Sequence, residues 1–183
     1  MTRLIRSLVA ASAIFFMLPS LPAFAESAEV IDARSNDAIA TFREDVNGAQ
    51  VFLEQAAGYL VFPRVIKVGL GFGAETGEGV LRVGGRSVDY YRTTAGSFGL
   101  QFGAQAKSIV IAFMTKESLE KFRNSEGWKV GLDGSVALID IGAGKTIDSQ
   151  NVKDPVVGFI FGSKGLMYNL TLEGTKISKL NRS

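Results

Sequence analysis

Apolar residues recur at helical spacing through 27–54, where Ile31, Ala38, Ile39, Phe42 and Val46 alternate with Asp32, Arg34, Asp37, Arg43 and Glu44. This spacing predicts an amphipathic helix that Asn47-Gly48 interrupts. A shorter helix over 49–56 follows, with Val51, Phe52 and Leu53 as its apolar face and Gly58 ending it. Such a helix can lie on a membrane surface, but its charges are mixed and acid-rich, so packing against the chain's own sheet is the expectation.

From Gly58 the period changes from 3.6 to 2. Strands are predicted over 59–62, 65–74, 79–83, 87–92, 97–105 and 108–114, with Thr76-Gly77 and Gly84-Gly85 as turns and antiparallel pairing between them. Two of these runs, at 65–73 and 97–105, carry Gly at nearly every second position, so each has a bulky face and a bare one. They are expected in one sheet, with Val68, Leu70, Phe72, Phe98, Leu100 and Phe102 in the core and the bare face open to close approach of backbone or ligand.

A helix at 116–123 follows, with Thr115 as N-cap. Strands resume at 128–132, 135–141, 156–162, 166–172 and 175–178, the last three as a meander. The fold expected is α+β and mainly β: an amino-terminal helix pair packed on a strongly coiled, glycine-rich antiparallel sheet or barrel, with one short helix inserted near 116–123. The helical lead-in is 27–56 and the β-rich body 58–183, in one domain over 26–183.

Residues 1–25 read as a secretory signal: Arg3 and Arg6, an apolar run over 8–18, then Ala23-Phe24-Ala25. Cleavage is expected at Ala25-Glu26, which would leave the mature protein periplasmic or secreted. The apolar run is about half the length needed to span a bilayer. Removing Arg3 and Arg6 leaves 18 basic residues against 18 acidic ones, so the net charge of +2 falls to zero. Bulk charge then offers no reason to expect nucleic acid as a partner.

The chain has no His and no Cys, which excludes Ser-His-Asp and Cys-His nucleophilic sites and zinc sites with imidazole or thiolate ligands. Gly-Ala-Gly-Lys-Thr at 142–146 resembles a phosphate loop, but Ile139 stands where the first Gly belongs and no helix pattern follows. Gly69-x-Gly71-x-x-Ala74 matches a dinucleotide fingerprint only formally, since strand continues where a helix must open. Glu75 and Glu78 flank the expected Thr76-Gly77 turn, where charges are solvated. Lys107-Ser108 and Ser163-Lys164 are adjacent on strands, so each pair points to opposite faces. An enzyme is not expected, nor is a cofactor, a metal or a catalytic set.

The basic residues offer more. Arg64 and Lys67 border the strand after Pro63, and Arg82 and Arg86 bracket the Gly84-Gly85 turn. These four make a candidate phosphate-binding patch beside apolar loops. The alternative is that they are solvated charges discouraging edge pairing.

Taken in order, AAGYLVFPRVIKVGLGFG from Ala56, GEGVL from Gly77, GSFGLQFGAQ from Gly96, a Val/Ile strand with a helix holding Phe122, WKVGLDGSVA from Trp128 and SKGLMYNLTLEGT from Ser163 resemble the SYLF domain family, over about 48–183. The resemblance implies a β-rich binding domain. Eukaryotic members bind phosphoinositides and other anionic lipids, some fungal members take part in actin regulation, and bacterial members are typically exported. Val88-Asp89-Tyr90-Tyr91 departs from the family, which usually has a Trp and then a Pro there, and the end at Ser183 lacks a Tyr-containing tail. The implied partner is anionic lipid or a membrane surface, with Arg64, Lys67, Arg82 and Arg86 as headgroup candidates. The alternative is an envelope protein–protein module with no lipid ligand.

Overall fold

The computed structural model describes residues 26–140, 153–164, 172 and 174–182. Helix α1 (Ala28–Asp45) starts where the Ser27 hydroxyl accepts from the Val30 amide, and it carries Glu29 in its first turn and Arg43 in its last. Its buried positions are Ile31, Ser35, Ala38, Ile39 and Phe42. The chain breaks at Gly48, which has a left-handed φ of 87°, and resumes as α2 (Ala49–Gln55).

Beyond α2 lie β1 (Gly58–Val83) and β2 (Arg86–Phe113), one antiparallel hairpin closed at Gly84-Gly85. The expected turn at Thr76-Gly77 is strand, paired with Thr94 and Thr93. The gap expected between the strands at 59–62 and 65–74 is a register shift between Phe62 and Val65, and a second shift, between Leu70 and Phe72, falls inside an expected strand. Glycine lets β1 curl onto itself. A Cβ on Gly77 would lie 2.7 Å from the Arg64 carbonyl oxygen, and one on Gly79 would collide with the Val61 carbonyl. The two arms of β1 therefore cross at backbone distance, which a side chain at either position would prevent.

After α3 (Lys116–Arg123), capped by Thr115, come β3 (Trp128–Lys129), β4 (Ala137–Asp140), β5 (Val156–Lys164) and β6 (Lys176–Leu180). The six strands run β3-β6-β2-β5-β4, with β1 on the other edge of β2. Among the described residues, β5 and β6 pair with different ends of β2, β5 along 106–113 and β6 along 90–94. Nor is the sheet wholly antiparallel, because β4 pairs β5 in parallel. The strand expected at 166–172, except Leu172, and the Gly-Ala-Gly-Lys-Thr stretch lie outside the described residues.

Away from the bend, both faces of this curled sheet are covered. Outward, Tyr59, Val61, Val80, Val110, Ala112, Val157, Phe159 and Phe161 pack against α1 and α2. Inward, Leu60, Phe62, Val65, Leu81, Ile109, Ile111, Phe113 and Ile160 pack with α3, Trp128 and Ile177. Burial on both faces explains why these strands read as continuous apolar runs. The mainly β α+β architecture, helix pair first and one short helix inserted, is the one the residue pattern implies.

Candidate functional site

Past Val65 the helices no longer cover the hairpin. On the outward face Ile66, Val68 and Phe72 are exposed, Val68 by 50% and Phe72 by 72%. Val68 and Phe72 were expected in the core, and the structure reverses that expectation. The bulge after Phe62 shifts the alternation, so Val65 and the glycines take the inward side and the bulky residues point out. The side chains of Leu70, Phe98, Leu100 and Phe102 lie outside the described ones.

The stripe begins at a groove of about 500 Å³ between α1 and the hairpin, lined by Arg34, Asp37, Pro63, Arg64, Ala106 and Phe161. Ala106 is the cross-strand partner of Ile66, so groove and stripe are continuous. Ser108 turns outward here and donates to the Pro63 carbonyl at 2.9 Å. Arg64 is exposed and forms no ion pair among the described residues.

The other three sequence candidates lie elsewhere. Lys67 is turned into the bend and is 5% exposed. Arg82 is half-buried against α1, donating to the Asp32 carbonyl at 3.5 Å. Arg86 is exposed at the hairpin turn. Along the crossing of β1 on itself, Arg82 lies level with Gly58 and Arg64 with Gly77. Six residues at roughly 3.3 Å each separate Gly58 from Arg64, so Arg64 and the Arg82–Arg86 turn are about 20 Å apart. The four do not form one patch.

Carboxylates organise the remaining polar contacts. Glu75 is buried, and the Lys107 ammonium donates to its Oε2 at 3.0 Å, joining the two arms of the bend. The solvated Glu75 of a turn is thus an interior residue, because no turn exists at Thr76-Gly77. Glu78 accepts from Arg92 at 2.6 Å and from Arg182 at 2.8 Å. Burial pushes Glu78 up, but these two guanidinium groups outweigh it and hold the carboxyl below its ordinary value. Asp32 on α1 accepts from Ser87 at 2.7 Å and from Tyr90 at 2.9 Å. Burial, then the hydrogen bond and charge of Asp32, raise the Tyr90 phenol, while burial and then the Asp89 charge push Tyr91 up to about 12. Both phenols stay neutral, so Tyr90 remains a donor. Among the described residues no group of three or more carboxylates stands ready to hold a metal ion, and no helix is long and apolar enough to cross a membrane.

A family model described as Las17-binding protein actin regulator, Ysc84, matches residues 94–182. Over these residues the chain is similar to the SYLF domain family, in agreement with the motifs that resemble it. A search of curated proteins finds no match. The matched stretch of the SYLF domain runs from the middle of β2 through β6, and so contains Gln105, Lys107 and Thr175 of the bend. Its partners on β1, Lys67 and Glu75, join it through the β1–β2 ladder and the Lys107 bond. The exposed stripe could not be recognised from alternation alone, because a bulky face is apolar whether it meets a core or an external apolar phase.

Proposed function

We propose that this SYLF domain is an exported binding domain that docks on anionic phospholipid through the outward face of the β1–β2 bend. One observation carries the reading: Ile66, Val68 and Phe72 stand exposed along a single strand face, with Arg64, which forms no ion pair among the described residues, at its base. Apolar side chains of this kind enter the interfacial region of a bilayer, and an arginine beside them meets the phosphate oxygens bidentately. A hairpin paired continuously on both sides of the bend holds the stripe rigid, so docking costs little ordering entropy. In an export compartment the ligands are phosphatidylglycerol, cardiolipin or a lipid met outside the cell. Of the four basic candidates Arg64 makes the headgroup contact on this face, and Arg86, about 20 Å away along the strand, adds only long-range attraction.

Vesicle co-sedimentation of residues 26–183 tests this. Phosphatidylglycerol vesicles are expected to bind the protein at low salt and to release part of it at high salt, while phosphatidylcholine binds much less. Phe72→Ser should weaken binding roughly tenfold or more, from the transfer free energy of one buried aromatic ring. Arg64→Ala should weaken it about fivefold, from about 1 kcal/mol per basic residue at an anionic surface. Equal binding to both lipids, or binding that survives both substitutions, overturns the reading. A second reading is that the same stripe docks a protein of the cell envelope; what supports it is only that the family's description names a protein partner. Failure to bind any vesicle, with a co-purifying protein lost on Phe72→Ser, moves that reading ahead.

A further inference from the structure

The concave side of the bend differs from the outward one. Beyond Ile111 and Ile109, the next inward positions of β2 are Lys107 and Gln105, and beyond Val65 on β1 the next is Lys67. All three are at most 5% exposed. Lys67 and Gln105 are direct cross-strand partners, and Lys107 is the partner of Val65. The two lysine stems are therefore diagonal neighbours on one face, roughly 7–8 Å apart. The facing arm contributes the buried Glu75 and Thr93, and Thr175 enters just before β6. The 3.0 Å bond from Lys107 to Glu75 shows that the arms face each other across this interior.

The charges do not balance. Two buried lysine residues meet one buried carboxylate residue. Glu75 is committed to Lys107, and no carboxylate among the described residues lies within ion-pair distance of Lys67. The Thr175 hydroxyl is buried and has no hydrogen-bond partner among the described residues. Lysines are almost never buried without a partner, and an unmatched hydroxyl in the same region leaves a second donor unused. A tetrahedral oxyanion satisfies both, since it carries the missing negative charge and several acceptor oxygens.

The geometry points to an oxyanion site inside the bend, in which Lys67 holds a phosphate-class anion between the two arms with Thr175 nearby. Glu75 restrains Lys107 and limits the positive charge, so the site matches a singly charged phosphate, as in a phosphodiester or dihydrogen phosphate. The anion is either free phosphate or the phosphate of a lipid headgroup. In the second case the site deepens the lipid reading and rests on it.

The test uses residues 26–183 and two probes at matched ionic strength in chloride: inorganic phosphate, and a short-chain phosphatidylglycerol kept below its micelle concentration. Calorimetric titration and melting temperature are read for each. Wild-type protein is expected to bind saturably and to melt higher with at least one probe. Lys67→Met, which keeps the aliphatic stem, should weaken binding at least tenfold without lowering the melting temperature in plain chloride. Glu75→Gln should tighten binding, because it removes a negative charge and releases Lys107, and Lys116→Ala, at an exposed position on α3, should leave it unchanged. A response to inorganic phosphate makes the site independent of lipid, whereas a response to the lipid alone assigns the anion to a headgroup. No response to either probe, or Lys67→Met binding as wild type does, overturns the proposal. Should Lys67→Met fail to fold, the tightening in Glu75→Gln decides. Vesicle docking is tested separately by Phe72→Ser, so either idea can fail while the other stands.

Discussion

On β1, Leu60, Val61 and Phe62 are all buried, because one face of the sheet meets α1 and α2 while the other meets α3 and Trp128. A few residues further along the same strand, Ile66 and Val68 are exposed on one side and Lys67 is enclosed on the other. Both stretches pair with β2, with a register shift between Phe62 and Val65 separating them. What differs is the cover. The first stretch is a two-sided core and the second is a bend with an apolar outside and a polar inside, the inverse of an ordinary half-buried strand. The bend thus has the composition of a binding surface, while the stretch before it has that of a scaffold.

This contrast can be broken hardest at its covered end. The Phe159 ring lies 5.2 Å from that of Phe42 and 5.1 Å from that of Phe52, joining β5 to both helices. Phe159→Ala should cost about 3–5 kcal/mol, read as a lowered urea midpoint with an unchanged slope. Next comes the crossing that creates the bend. Gly79→Val should destabilise by roughly 1–3 kcal/mol, since its Cβ meets the Val61 carbonyl. Gly96→Ala, where an added Cβ meets nothing within 4 Å, should stay within about 0.5 kcal/mol. Equal losses at the two glycines would show that strand propensity, not the close crossing, governs the site.

A smaller effect is expected at Glu78. Its folded pKa lies below its unfolded one, so its contribution is fully present above the unfolded value and is lost as pH falls through the folded value. Glu78→Gln should lower stability by about 1 kcal/mol at neutral pH, and the gap should close in acid. Urea midpoints at pH 7 and pH 3 check the sign, and a gap that widens in acid would contradict it. Smallest of all, Val68→Ser with Phe72→Ser should shift stability by no more than roughly 0.5 kcal/mol, because both side chains already face outward. A loss comparable to Phe159→Ala would mean that the stripe is core after all.

Much of this was legible in the residues. The helix period of Ile31, Ala38, Ile39 and Phe42, the stop at Asn47-Gly48, the Thr115 cap and the pairing of the two glycine-alternating runs are local signals or near-neighbour ones, and each appears where expected. The family resemblance in its separate motifs agrees with the match over 94–182.

The local pattern could not decide which side of each strand is inside. Val68 and Phe72 alternate with glycines as core residues do, yet a single bulge after Phe62 reverses the faces, and the limited reach of α1 leaves the outward one bare. Nor could spacing along the chain show that Thr76-Gly77 is strand rather than turn. The position of Gly77 against Arg64 is a contact between two arms of one strand, and only the curl brings them together. The same curl leaves Arg64 six strand residues away from the level of Arg82 and brings Glu75 to Lys107. Sequence alone determined most of the elements, because periodicity and capping are properties of short segments. The tertiary fold decided the faces and the constellation, because those depend on where a long, glycine-softened hairpin bends and on what packs against each side.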